Sequence, residues 1–298
     1  MSLLESLGQP EGGFPARGGE PFRSDATAWA ILVLCRLDPA HSLLGSARDR
    51  LTTAQDPDGR VSISREHEEA FWPTALSVLA WHGSQAHEPH YNRGVQFLLR
   101  ATGQHRSKNP DDQVGHDPSI PGWPWIDRTH SWIEPTALSV LALRVAGYGQ
   151  HDRVREGIRM MLDRQLPHGG WNYGNTTVYG RVLHPMPEST GAALAGLAGQ
   201  TEPGSVARSL EYLQGEVDRL RTPISLGWSL LGLAAWDLWP SNGAALVERC
   251  LANQARYGAY DTSALCLVLL AGLEGEVGGK NSLFPRVIHQ HLSAIRPH

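Results

Sequence analysis

Two kinds of helical segment alternate along the 298-residue chain. In the first, nearly every side is apolar. Pro73–Ala80 and Pro135–Ala142 are the same octapeptide, PTALSVLA, and degenerate copies start at Thr27 (TAWAILVL), Thr190 (TGAALAGL), Leu226 (LGWSLLGL) and Ser263 (SALCLVLL). Ala and Leu are good helix formers, and a helix without a polar stripe is buried all round. In the second kind charges keep to one face, as at 91–100, 151–165, 205–214 and 244–254, which predicts amphipathic helices lying outside the first kind. A Thr or Ser heads most apolar copies, where its side-chain oxygen is placed to cap the first turn. Pro73 and Pro135 are tolerated there because a helix start leaves its first N–H groups unpaired anyway.

The anchors at 27, 74, 136, 190, 226 and 263 are separated by 47, 62, 54, 36 and 37 residues. A unit near 36 residues therefore carries insertions in the first half of the chain. Each unit reads as an amphipathic outer helix, a glycine-rich loop and an apolar inner helix. Six inner helices closing on themselves inside six outer ones predict an all-α fold, an α/α toroid or (α/α)6 barrel, occupying 1–298 as one domain. An open solenoid is the alternative; it needs polar caps on its terminal repeats, and neither end shows a distinct one.

Composition narrows the partners. Hydrophobic residues make up 41% and charged residues 19%, too apolar for a disordered chain. The formal net charge of -4, without a run of Lys or Arg, offers nothing to a phosphate backbone, so nucleic acid is not expected. Cys35, Cys250 and Cys266 are scattered and odd in number, which suggests neither a disulfide framework nor a cysteine zinc site. The start, Met1–Pro10, has no basic stretch followed by an apolar one, and no apolar run approaches the ~20 residues of a membrane span. A cytoplasmic setting is the expectation. There is no Walker loop and no strand-borne GxGxxG, and the short histidine pairs His87/His90 and His289/His291 lack a third ligand, so no cofactor and no metal are expected.

A glutamine followed by glycine and a ring recurs between outer and inner helices. The fullest copy is Gln165, Gly169, Trp171 (QLPHGGW); Gln254, Gly258, Tyr260 keep the spacing, Gln55, Gly59, Val61 lose the ring, and Gln9–Phe14 (QPEGGF) is one residue shorter. In physical terms this is a staple: glycine permits the left-handed turn, glutamine bonds backbone groups of an adjoining helix end, and the ring packs on the next unit. QLPHGGW resembles the QxxxGxW repeat of the squalene–hopene and oxidosqualene cyclases, and QPEGGF is similar to the glycine-aromatic repeat of protein prenyltransferase β subunits. The resemblance implies an α/α toroid whose central apolar cavity receives an isoprenoid, with a peripheral membrane contact left open. Full-length triterpene cyclases have two such domains and this chain has room for one, which implies a smaller substrate, or a partner chain or second copy.

Class II terpene cyclases protonate a double bond or epoxide with the middle Asp of DxDD, two residues before a Thr-Ala at an inner helix. That position holds Asp25, Glu134, Glu188 and Asp261 here, and Trp72 and Ile224 in the other two units; no copy is a full DxDD. Four carboxylates at equivalent places of a ring converge on one mouth, where burial and like charge raise a pKa. The plainer reading is that an acid at a helix start is favoured by the macrodipole and needs no function. Glu134 is the lead candidate, because Trp123, Trp125, Trp132 and His130 crowd the same stretch; His130 is placed to reset its proton, and indole faces attract a cation. Trp72, Trp171, Trp228 and Tyr260 complete the expected substrate-binding set. Protein prenyltransferases hold zinc with an Asp-x-Cys pair; Asp261 lies five residues before Cys266, so that chemistry is disfavoured. Two other functions fit the fold: a binding module without turnover, and a carbohydrate-active (α/α)6 enzyme with two facing carboxylates and aromatic platforms.

Overall fold

The computed structural model describes residues 2–109 and 111–276. In chain order its helices are α1 (Ser2–Ser6), α2 (Ser24–Leu37), α3 (Leu43–Thr52), α4 (Pro73–Trp81), α5 (Glu88–Arg100), α6 (Ile133–Val145) and α7 (Asp152–Asp163). They continue with α8 (Pro187–Leu197), α9 (Pro203–Glu216), α10 (Pro223–Ala235), α11 (Gly243–Ala252), α12 (Gln254–Tyr257) and α13 (Thr262–Glu276). The six apolar segments are α2, α4, α6, α8, α10 and α13, and each packs on the next; α13 packs back on α2. The ring is closed, and the architecture is an α/α toroid.

Outer helices α3, α5, α7, α9 and α11 each bridge two successive inner helices. Their amphipathic pattern explains the placement: α7 buries Val154, Gly157, Met160 and Met161, which recur at helical spacing, and Arg153 is the charged side chain that goes in with them. Between α7 and α8 an insertion forms a hairpin of two short strands, β1 (Thr177–Val178) and β2 (Arg181–Val182), that the helical pattern gives no hint of. Among the described residues no helix is long and apolar enough to cross a membrane.

The anchor threonines do something other than cap. None of α2, α4, α6, α8 and α10 has a side-chain cap hydrogen bond. Instead each buried hydroxyl reaches back to the loop: Thr27, Thr74, Thr136 and Thr190 accept the backbone N–H of Phe14, Val61, Trp123 and Trp171 at 2.8–3.0 Å. The same hydroxyls face the carbonyls of those four residues. A loop that must run beneath the helices thus has its buried polar groups satisfied by a side chain. In the last unit the role falls to Thr262 rather than Ser263, and it acts across the seam, donating to the Pro15 carbonyl at 2.7 Å.

The glutamines of the repeated loop are not alike in what they bond. Gln55 donates to the Gly59 and His90 carbonyls, and Gln165 to Ser209 Oγ at 2.7 Å. Gly59 and Gly169 take φ of 99° and 96°, and each lies against a carbonyl of the following outer helix, of Arg93 and of Arg208, where a Cβ has no room.

Candidate functional site

All four sequence-predicted acids stand in or just before the first turn of an inner helix, and cross-links show those starts gathered at one end of the ring. Glu134 on α6 accepts from the Trp228 indole N–H on α10 at 3.3 Å. Glu188 on α8 accepts from Ser225 Oγ, also on α10, at 2.8 Å, and from Tyr173 Oη at 3.0 Å. Ser263 at the head of α13 donates to Asp25 on α2 at 3.4 Å. Glu188 and Asp261 line one cavity of about 410 Å³ together with Ser225 and Tyr260.

The four groups differ in environment. Asp25 is buried and gripped by the Arg23 guanidinium through two hydrogen bonds of 2.9 and 3.0 Å. Asp261 accepts the backbone N–H of Ala264 at 2.8 Å, which is the helix-start role of the plainer reading. Glu134 is set among apolar residues of its helix yet keeps some accessible surface. Burial pushes its carboxyl up to about 7, the Trp228 hydrogen bond opposes this, and the charge of Glu188 adds to it.

The aromatic candidates divide into two groups. Trp228 is buried where α2 and α10 face each other and meets Trp29 edge-on with ring centroids 5.8 Å apart. Trp72, standing at the acid position of its unit, packs edge-on with Trp125 at 5.1 Å, and both keep accessible surface. Trp132 is half-buried with His130 at 4.2 Å; His130 has one side open to solvent, lines a different cavity, and is held below the usual imidazole range by the desolvation of its packed side and by Arg164. Trp123 and Trp171 have no free face: their indoles donate to the Leu98 and Met161 carbonyls, and Arg153 covers Trp123 at 3.5 Å. Tyr260 is tied by its hydroxyl to the Cys250 carbonyl at 2.7 Å.

Three participants escaped the sequence reading. Trp29 lies two residues after anchor Thr27, as Trp228 lies two after Leu226, so superposing the repeats finds it. Ser225 and Tyr173 carry no such mark, since their relation to Glu188 exists only across elements. Among the described residues no group of three or more His, Cys, Asp or Glu side chains could hold a metal ion.

No family model and no curated protein matches the chain. Solved structures do. The type II terpene cyclase MstE from Scytonema superposes with a TM-score of 0.59 at 12% identity, over 92% of this chain and 94% of that one; it has also been captured with geranylgeranyl dihydroxybenzoate as substrate. The ent-copalyl diphosphate synthase from Streptomyces platensis gives 0.56 at 17% identity over 85% of this chain and 50% of its own. The α-1,6-mannanase GH76A of Salegentibacter gives 0.59 at 12% identity over 92% and 96%. At such identities the likeness is one of fold, which terpene cyclases share here with a carbohydrate-active enzyme.

Proposed function

We propose that the protein is terpene cyclase-like, binding an isoprenoid at the carboxylate-rimmed end of the ring and protonating it from Glu134. The observation that carries this reading is a carboxyl set among apolar residues and bonded by the Trp228 indole, where burial and the nearby Glu188 push it up to about 7. In the reaction Glu134 gives its proton to a terminal double bond; the π pair becomes a C–H bond and the tertiary carbon is left cationic. The next double bond attacks that carbon and closes a ring. Water takes a proton from the carbon beside the last cation, the C–H pair restores a double bond, and solvent returns a proton to Glu134. Trp72, Trp125 and Trp132 keep accessible surface, and their rings are the ones offered to the passing cation. A type II cyclase of nearly this length exists among the structural neighbours, which favours a smaller substrate over a missing partner chain.

The test is incubation of the purified protein with polyprenyl alcohols, polyprenyl diphosphates and prenylated dihydroxybenzoates, followed by product analysis, with Glu134→Gln as control. Cyclised product that disappears in the variant supports the reading. Turnover untouched by it removes Glu134. Saturable binding with no product leaves a binding module. The second reading rests on Glu188 and Asp261 sharing one cavity with Tyr260, an arrangement suited to a glycosidic substrate. Release of sugar from α-1,6-mannan, abolished in Glu188→Gln, would favour it instead.

A further inference from the structure

The longest departure from the repeat is the insertion of the third unit between Gln104 and Gly122, and the reaction above leaves it without a role. It walls a cavity of about 970 Å³, lined among others by Arg106, His116, Arg128, His130 and Arg164. Three buried polar atoms here have no partner. They are Arg164 Nε and His116 Nδ1, both on side chains that line the cavity, and Thr176 Oγ1 beside Gly115. Their residues are 3%, 5% and 6% exposed.

The nearby carboxylates are already engaged. Asp112 takes two hydrogen bonds from Arg106, at 2.6 and 2.7 Å, and Asp117 is held by the Ser119 hydroxyl and N–H. Asp163 accepts the Asp117 N–H at 2.8 Å, and exposed Asp127 lies beside Arg128. Arg164, by contrast, donates to the Ser131 carbonyl and to no carboxylate. Asp163 favours its charge only through space, and a buried guanidinium whose Nε–H has no acceptor gains from an oxyanion that completes it. Burial, then Arg164, His130 and Lys108, press His116 down to about 4 against the opposing charge of Asp117, so it is neutral at pH 7.

We propose that this cavity is a binding site for a phosphoryl oxyanion, held by the Arg164 guanidinium and the His116 ring. A tetrahedral oxyanion presents acceptors to both donors at once and makes a charge-assisted bond to the guanidinium, which a neutral polar ligand does not. Arg128 and His130 at the exposed edge are positioned to meet a second phosphoryl group. The anion comes either free or as the head of an organic diphosphate. This inference does not depend on Glu134 or on cyclisation.

Isothermal titration calorimetry of the full chain with inorganic phosphate, inorganic diphosphate and farnesyl diphosphate tests it, with farnesol as the uncharged control. Saturable binding of diphosphate at one site is expected, weakened at least tenfold in Arg164→Gln. Because Arg164 also supports the Ser131 backbone, His116→Gln serves as the second variant, each checked for a native melting transition. Equal affinity for inorganic and farnesyl diphosphate identifies a free anion as the ligand; tenfold preference for farnesyl diphosphate identifies a headgroup. Absence of saturable binding by any phosphoryl probe overturns the proposal, as does wild-type affinity in both variants. Binding is read without turnover, so its failure is distinct from failure of the protonation chemistry.

Discussion

A carboxyl does acid work at neutral pH only if its surroundings make ionisation costly, and Glu134 meets that condition through burial and the neighbouring charge of Glu188. Glu134→Gln keeps the shape and removes the proton, so turnover is expected to fall by roughly 10²–10⁴-fold in a steady-state assay. In the wild type, activity should be present below about pH 7 and decline as pH rises through that value. Stability carries the same signature. Between the ordinary 4.5 and about 7 the folded chain holds a proton that the unfolded chain has released, so stability falls as pH rises across that window, by roughly 3 kcal/mol in all. The glutamine variant does not ionise; thermal melts at pH 5 and pH 8 should show a smaller loss than in the wild type. Position relative to the repeat anchor made all four acids legible in sequence. Their different fates were not, because Arg23, Trp228, Tyr173 and Ser225 sort them through contacts between elements.

At the scale of the element, hydrophobic patterning was enough to find every inner helix, since a segment apolar on all sides has nowhere to go but the middle. The threonine at its head clips the loop and does not cap the helix, a difference hidden in the sequence because a cap and a clip call for the same residue in nearly the same place. The distinction is testable. Thr190→Val leaves the buried Trp171 N–H without an acceptor and is expected to cost about 1–3 kcal/mol in urea unfolding, whereas Thr190→Ser, which keeps the hydroxyl, restores most of it. Gly59→Ala is a sharper lesion. It places a side chain at φ 99° and drives its Cβ into the Arg93 carbonyl, so the cost should be at least about 2 kcal/mol, with α5 displaced from the loop. The β1–β2 hairpin and the third-unit insertion fall outside the repeat, and no periodicity announced them.

Whether the molecule behaves as a ring or as a coiled array depends on the seam between α13 and α2, the one junction that joins the ends of the repeat series. There the Thr262 N–H and hydroxyl bond Ala16 and Pro15, and Arg36 reaches Glu274 at 3.2 Å with both side chains largely shielded from solvent. An open array needs no such contact: its terminal repeats fray first, and a lesion at one end leaves the other end standing. A closed ring has no free end, so damage at the seam weakens every unit together. Arg36→Met removes the guanidinium that bonds Glu274 across the seam and is expected to lower stability. The informative quantity is the form of the loss. In urea the variant should show one transition at a lower midpoint with the slope of the wild type, since the same surface is still exposed in one step. A second transition, or a shallower slope, would mean that the first and last units come apart on their own and that the contact of α13 with α2 does not bind the ring. The acid rim shares that dependence, because Ser263 meets Asp25 across the same seam, and a ring opened there would separate the two sides of the proposed substrate mouth.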